Sequence, residues 1–586
     1  MARLVAAAVT AVLLLAGCGG GADERRPDTT ALRFLPADAD AVAALSLDYG
    51  GADWSAIKRR YARLAGRERT RDLLGFDGPL PPTLDGALNL LAGFGGVTFA
   101  DDLRPLLGGT AYLAIRQTPR PPLSRSAQDV LERLDETATR FGPRGPAYVD
   151  RRGRRLPGAA VHRALTERDR ARPATEAVVA YTVPEPAALE RLLDGLQEQG
   201  LERRRLRGTD AVALGDGVAV AGGRTVVAVL DPGARDARAV LHERLTARRP
   251  GPAPPGPSDA LVAVRLRPDL LGAVLDRAQL RRALRESQAG RALRGLSARL
   301  DVTEDEVRVD GRLDFEGLTD EQLPVGASSA LELPAGEPIA SAASDQRRTT
   351  TFLSRLAREL LPDSRFVRRV RALERATATR FDDEVLEAFE GASLTLLRPA
   401  AGATTTFAAR SSLRDPERMR ALLPRIAPRL PGILEALQGL GATGLTGLLL
   451  VAPDAPLVPE AASFLAAVGV RRLPEPAKRP GRPLLFEVRG LDPGNRQPGP
   501  DRLVYGVVGD AFVVGSTRAL ALRAAKVPTT GARRSTGALL RADVRSLARA
   551  LGADAATATL LAQAFRGVQA EARSRDGDVA FSVSAR

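Results

Sequence analysis

The chain has 586 residues, of which 44% are hydrophobic and 26% are charged, and its formal net charge is +15. This composition is typical of a globular protein, and the length predicts about two to four domains rather than a disordered chain. Cys18 is the only cysteine. The chain can therefore form neither an intramolecular disulfide nor a thiolate metal cluster.

The first 17 residues have the features of a secretory signal peptide. Arg3 supplies a positive charge, and residues 4–16 form an apolar run that is too short to span a bilayer. The sequence Leu15-Ala16-Gly17-Cys18 resembles the lipobox of bacterial lipoproteins, in which the cysteine becomes the lipidated first residue. This resemblance implies lipidation at Cys18 and a lipid-anchored location on the extracytoplasmic face of the cell membrane. The polar, glycine-led composition that follows Cys18 predicts a flexible tether over 18–31.

The rest of the chain contains six pairs of similar segments that follow the same order twice. The pairs are 35–47 with 333–344, 101–115 with 382–397, 178–197 with 405–417, 222–227 with 509–514, 261–269 with 539–543, and 302–313 with 568–583. Alternating apolar residues predict strands and hairpins, and an acidic residue before Pro186 and Pro416 predicts two helix starts. We therefore expect an α+β protein of two homologous tandem units, 32–320 and 325–586. Each should have a mostly antiparallel sheet with helices packed on one side.

Three of these motifs carry a resemblance to a known family. They are the leader Leu35-Pro36-Ala37-Asp38, the pattern of Asp102, Pro105 and Gly108, and the strand–acid–proline–helix segment. Together they resemble the domain of unknown function 3352 family of bacterial, largely actinobacterial, proteins that are often exported lipoproteins. The second copy departs from the pattern, because Gly336 stands where the first copy has Asp38 and Leu386 lies near the position of Pro105. The resemblance implies no activity and no catalytic residues.

An arginine-rich insert, about 116–176, distinguishes the first predicted unit from the second. It includes Arg151-Arg152-Gly153-Arg154-Arg155. One interpretation is a solvated excursion with a single amphipathic helix over 127–141. The alternative is an electrostatic contact with anionic headgroups or an acidic wall polymer.

A second insert, about 431–474, belongs to the second predicted unit and is apolar. No arginine or lysine occurs between Leu430 and Val470. The candidate contact residues for a hydrophobic ligand or an envelope partner protein are Leu445, Leu448, Leu449, Leu450 and Phe464. The alternative is a helical pair packed on the core of the second unit.

Residue patterns that would indicate catalysis are scarce. The only histidines are His162 and His242, and the sequence has no HExxH, GxSxG or P-loop spacing. The pairs Asp101-Asp102 and Asp382-Asp383 are expected to satisfy backbone N–H groups at helix starts rather than to bind a metal ion. We therefore expect a non-enzymatic protein without catalytic residues, cofactor or metal.

The low aromatic content and the exported location also argue against a nucleic-acid partner. The leading hypothesis is a membrane-anchored protein that binds a hydrophobic ligand or a partner protein. The alternatives are a structural or assembly lipoprotein of the cell envelope without a ligand, and a cell-wall polysaccharide hydrolase whose carboxylates are dispersed along the sequence.

Overall fold

A computed structural model provides the three-dimensional structure of the chain. The residues that it describes are 29–65, 81–93, 97–118, 124–134, 140–142, 145–150, 154–170, 174–198, 200, 202–232, 235–254, 260–268, 270, 287–325, 329–331, 338–360, 365–397, 406–429, 470–473, 482–489, 502–526, 529–534, 538–545, 559, 562 and 565–586. Within these ranges, no helix has the length and apolar content needed to cross a bilayer.

Helices and strands follow one another along the chain without a fixed order. The α-helices are α1 Ala52–Ala65, α2 Leu84–Gly93, α3 Arg125–Arg133, α4 Gly158–Arg170, α5 Pro186–Glu198, α6 Ala237–Thr246, α7 Gln288–Ala292, α8 Gln346–Leu360, α9 Arg365–Thr377, α10 Pro416–Ile426 and α11 Arg518–Ala525. The strands are β1 Ala41–Ser46, β2 Thr110–Thr118, β3 Arg140–Gly142, β4 Gly145–Ala147, β5 Ala174–Thr182, β6 Arg203–Arg205, β7 Val212–Leu214, β8 Val218–Ala221, β9 Thr225–Pro232, β10 Val262–Leu266, β11 Leu293–Val302, β12 Val307–Phe315, β13 Ser329–Leu331, β14 Pro338–Asp345, β15 Phe389–Leu397, β16 Thr406–Leu413, β17 Val470–Arg472, β18 Leu484–Arg489, β19 Arg502–Val508, β20 Ala511–Gly515, β21 Thr529–Arg534, β22 Ala538–Asp543, β23 Gly567–Arg575 and β24 Asp578–Ala585. This is a mixed, antiparallel α+β protein, as the sequence predicts.

The chain divides into two compact units. Unit 1 comprises Met1–Asp48 and Val97–Ser258, and unit 2 comprises Tyr49–Gly96 and Asp259–Arg586. The long sheet of unit 1 is antiparallel, in the order β6–β7–β8–β9–β5–β2–β1. Strands β1, β5, β8 and β9 are rich in alanine and valine, and both faces of β5 are buried. The helix α5 begins at Pro186, as predicted.

The arginine-rich insert of unit 1 is more ordered than the predicted excursion. It contains two helices, α3 and α4, and a small core of its own, formed by Leu134 directly after α3, Leu156 before α4, and Val161 within α4. Ser124 accepts a hydrogen bond from the backbone N–H of Ala127 and so caps α3. The predicted single helix over 127–141 is therefore wrong, because α3 ends at Arg133 and a short hairpin, β3–β4, follows.

The long sheet of unit 2 is also antiparallel throughout. Its order is β10–β11–β12–β24–β23–β22–β14–β15–β16–β20–β19–β18–β17. The pairing of β12 with β24 runs from Val307 opposite Ala585 to Asp314 opposite Asp578. This pairing joins the hairpin near residue 305 to the hairpin near residue 577.

Helices cover both faces of the sheet around β18, β19 and β20. One core joins α8, α9 and α10 to Phe486, Tyr505 and Phe512. A second core joins Ala521 and Ala524 of α11 to the opposite faces of the same strands. The expectation of helices on one side only therefore does not hold here. The physical reason is that these strands carry apolar residues at consecutive positions, so both of their faces need cover.

The strand order repeats between the two halves of the chain. In the first half β1 pairs β2, β2 pairs β5, β5 pairs β9, and β8, β7 and β6 follow. In the second half β14, β15, β16, β20, β19, β18 and β17 form the same succession. The compact units nevertheless differ from the predicted spans 32–320 and 325–586, since β10, β11 and β12 belong to unit 2.

Candidate functional site

The hairpin sheet is the part of unit 2 formed by β11, β12, β24 and β23. Each of its two hairpins has a turn that the sequence predicts. Thr303 closes the first by accepting a hydrogen bond from the Glu306 N–H at 3.1 Å. Asp576 and Gly577 form the second with φ angles of 54° and 85°, the conformation that a tight hairpin turn requires.

One surface of this sheet, the apolar hairpin face, is hydrophobic except at Gly311 and Ser574. Cross-strand partners share a face, so the registers define its members. They are Leu296, Ala298 and Leu300 of β11, Val307, Val309 and Leu313 of β12, Val568, Ala570 and Ala572 of β23, and Phe581, Val583 and Ala585 of β24. Val583 is 39% exposed and the others are partly exposed, whereas Val302 and Val579, which the register places on the same face, are buried. Large contiguous apolar surfaces that are open to solvent are typical of interaction sites.

Phe581 lies across Gly311 at the centre of this face. The two residues are direct cross-strand partners of β12 and β24. A Cβ atom added to Gly311 would lie 2.2 Å from the Phe581 Cζ atom, so the ring occupies the space that a side chain would need. The glycine therefore allows the aromatic ring to rest on the backbone of the neighbouring strand.

The opposite surface of the hairpin sheet is a charge ladder of arginines and carboxylates. Arg308 pairs with Asp310 at 3.0 Å, Arg299 with Asp301 at 3.1 Å, and Arg573 with Glu571 at 3.4 Å. The hydrogen bond to Asp310 raises the pKa of the Arg308 guanidinium. Each arginine of the ladder thus faces a carboxylate, and this exposed surface is close to neutral and well solvated.

A buried ion network lies in unit 1, around Glu176. This residue is only 1% exposed, and its register partner on β2 is Arg116, whose Nη2 lies 2.5 Å from Glu176 Oε2. Arg235 and Arg244, from the segment around α6, each lie 3.7 Å from the same carboxylate. Burial lowers the pKa of the Arg244 guanidinium, and the charge of Glu176 offsets part of that effect. Because Arg244 belongs to α6 and Glu176 to β5, the network holds α6 against the sheet.

An open polar cleft of about 390 Å³ lies beside α8 and α9 in unit 2. Arg358 donates to Glu374 at 2.9 Å and lies 3.3 Å from Asp382, so one guanidinium holds both carboxylates. Ser354 donates a further hydrogen bond to Asp382 at 2.7 Å. These contacts join α8, α9 and the segment 381–385. Among the described residues, no group of three His, Cys, Asp or Glu side chains could hold a metal ion.

The two aspartate pairs differ in how far they satisfy backbone groups. Asp102 accepts from the Thr98 N–H at 2.6 Å. In the second half the equivalent contact comes from Glu384, which accepts from the Arg380 N–H at 3.1 Å, and not from Asp382. The capping prediction is thus confirmed for Asp102 and wrong for Asp382.

The site residues expected from the sequence lie outside the described residues. These are Cys18 and the candidate contacts Leu445, Leu448, Leu449, Leu450 and Phe464. The sequence pattern predicts both hairpins but not the apolar hairpin face that they share. The alternation of apolar and charged residues in β12 was the available signal, but only the register with β24 reveals how large the shared surface is.

No family model and no curated protein matches the chain, so the resemblance to the domain of unknown function 3352 family stays a prediction. Among solved structures, crystal forms I and III of TP0453 are similar at 10% sequence identity. The alignments cover 50% of this chain and 80% and 82% of TP0453, with TM-scores of 0.23 and 0.24. A likeness of this size carries no argument about fold or function.

Proposed function

We propose that the protein is a lipid-anchored, non-enzymatic protein of the extracytoplasmic membrane face that binds a hydrophobic ligand on the apolar hairpin face. The leader and Cys18 support the location, in keeping with exported lipoproteins such as those of the domain of unknown function 3352 family. The observation that carries the binding role is the partial exposure of most of the apolar hairpin face, which includes Val583 at 39%.

The chemistry of this face favours an acyl chain or a similar apolar group. Its one hydroxyl, that of Ser574, already donates to the Val325 carbonyl, and its other side chains are apolar, so the bound portion must itself be apolar. A peptide cannot extend the sheet here, because β12 and β24 are hydrogen-bonded on both sides. Covering the face would remove apolar surface from water, which is favourable by about 25 cal/mol per Å².

The experiment compares two substitutions of exposed hydrophobic residues. Val583 and Leu90 are the exposed large hydrophobic residues of the described part of unit 2, at 39% and 47%, but only Val583 belongs to the apolar hairpin face. Val583→Asp should weaken binding of a fluorescent fatty acid by roughly tenfold or more, since it places a charge against the acyl chain. Leu90→Asp should leave the affinity unchanged.

Melting temperatures of both variants provide the control for folding. Equal affinity in wild type and Val583→Asp, with both chains folded, would refute ligand binding at this face. Lipid-free protein that co-purifies with another envelope protein in a Val583-dependent manner would instead support the assembly role.

We also infer that the halves of the chain arose by duplication. The support is the agreement between the six ordered sequence matches and the repeated succession of strands. Duplication explains why both halves end in a hairpin of similar length, β11–β12 and β23–β24. The binding face is built from these two terminal hairpins.

A further inference from the structure

One end of the apolar hairpin face, the end at Ser574, is crossed by the segment 318–325. The Ser574 hydroxyl belongs to the face and donates to the Val325 carbonyl. Leu323 is fully buried, and a Cβ atom added to Gly577 would lie 3.6 Å from the Leu318 carbonyl oxygen. The segment therefore closes this end of the face, and the open part of the face stops beside it.

The helix α8 lies on the same side of the sheet as the apolar hairpin face. Cross-strand partners share a face, so the side can be followed from strand to strand. Starting from β23, the successive partners are Ala570, Leu540, Ala342, Leu394, Ala409 and Val514. Val514 packs against the core that contains Ala357 of α8. The helix and the segment 318–325 thus occupy the same side of the sheet.

A small cavity of about 30 Å³ lies between α8, α7 and the segment 318–325. Four residues of α8 line it at spacings of about one turn, which places them on one side of the helix: Phe352, Arg355, Leu356 and Glu359. The opposite wall consists of Leu318 and Gln322 from the segment and of Gln288 and Ala289 from α7. Apolar and polar groups therefore meet at the end of the apolar hairpin face, an arrangement typical of sites that orient a ligand.

Arg355 is the cationic side chain of this cavity. It is exposed, and within the part of the chain that the structure describes it forms no ion pair. Glu359, the carboxylate one turn further along α8, accepts a hydrogen bond from the Gln288 N–H at 3.0 Å. Arg358 on the same helix is the contrast, because it pairs with Glu374 at 2.9 Å. Arg355 can therefore pair with an anion from outside the chain, whereas Arg358 already has its partner.

We propose that the ligand of the apolar hairpin face is an anionic amphiphile whose carboxylate pairs with Arg355, which rests on the proposed function of that face and names its class of ligand. Arginine and a carboxylate form two parallel hydrogen bonds between charged groups. The acyl chain requires only the apolar surface, whereas the head group requires a cation where that surface ends. Arg355 lies at that position.

The test compares two probes that differ in charge but not in chain length. One is a fluorescent fatty acid, which is ionised near neutral pH, and the other is the corresponding fluorescent alcohol. Both are titrated into the chain from residue 19 onward, which lacks the leader and Cys18 but keeps every described residue. The variant is Arg355→Gln.

The matched control is Arg541→Gln, which removes another exposed arginine of unit 2. Arg541 belongs to β22, and its register partner Gln569 lies between two residues of the apolar hairpin face. Since neighbouring residues of a strand point to opposite faces, Arg541 lies on the other side of the sheet.

Wild type and Arg541→Gln should bind the fatty acid about tenfold more tightly than the alcohol, because a hydrogen-bonded charge pair adds to the apolar contact. Arg355→Gln should bind both probes with the affinity that wild type has for the alcohol. Equal affinities of wild type for the two probes would overturn the proposal. An equal loss of preference in Arg541→Gln would also overturn it, since net charge alone would then explain the preference.

The Val583→Asp variant separates failure of this proposal from failure of the proposed function. If Val583→Asp weakens binding of both probes while wild type shows no preference for the acid, the face binds an acyl chain but Arg355 does not recognise the head group. If Val583→Asp binds both probes as wild type does, binding at the face itself is refuted, and the role of Arg355 fails with it.

Discussion

Replacement of Glu176 by glutamine tests whether the buried ion network holds unit 1 together. The substitution keeps the size of the side chain but removes its charge, which leaves the buried Arg244 with one carboxylate partner, Glu243, in place of two. Arg244 is only 5% exposed, so water cannot replace the lost carboxylate. Breaking a buried ion pair in this way costs about 3–5 kcal/mol of unfolding free energy.

For a unit of this size each kcal/mol lowers the melting temperature by about 2–4 °C, so Glu176→Gln should lower it by about 6–20 °C. The matched control is Glu202→Gln, which removes a carboxylate that lies 2.7 Å from Arg204 with its side chain 64% exposed. An exposed pair contributes at most about 1 kcal/mol, and the control should shift the transition little. Calorimetry of the three chains makes the comparison. Similar small shifts in both variants would refute the argument that burial makes this network important.

Two further predictions concern the hairpin sheet and the anchor. Gly311→Val should cost about 1–3 kcal/mol in chemical denaturation because its side chain would collide with the Phe581 ring. Adding Phe581→Ala should recover part of that cost, and purely additive effects would contradict the packing argument. Cys18→Ser should abolish lipidation and leave the protein either unprocessed or released from the membrane, as measured by fractionation of cells. Full membrane retention of a processed Cys18→Ser chain would contradict the anchoring role.

The elements that the sequence predicts correctly are those controlled by local chemistry. The turn at Asp576 and Gly577 requires positive φ angles, which glycine and aspartate tolerate. The helix α10 begins where Asp415 accepts from the Arg418 N–H at 2.9 Å, with proline in the first turn. In each of these cases a few neighbouring residues determine the outcome, so the sequence pattern is sufficient.

The features that the sequence could not predict depend on long-range pairing. The residues of β12 and β24 that face each other are more than 260 positions apart, as the hydrogen bond from the Phe315 N–H to Asp578 illustrates. Local alternation assigns Val309 and Val583 to apolar faces, but it does not reveal that the two faces are continuous. The same limit applies to Glu176, whose burial follows from the register with Arg116 and the packing of α6.

The position of the apolar hairpin face follows from how the two terminal hairpins meet. An isolated hairpin is marginally stable in water, and its outer strand exposes unpaired backbone groups. Pairing β12 with β24 removes both exposed edges at once, with Gly311 opposite Phe581 near the middle of the paired segment. The same pairing places the apolar sides of both hairpins on one surface, which neither half of the chain could form alone. If the halves arose by duplication, the proposed binding face is a property of the joined chain and not of the ancestral unit.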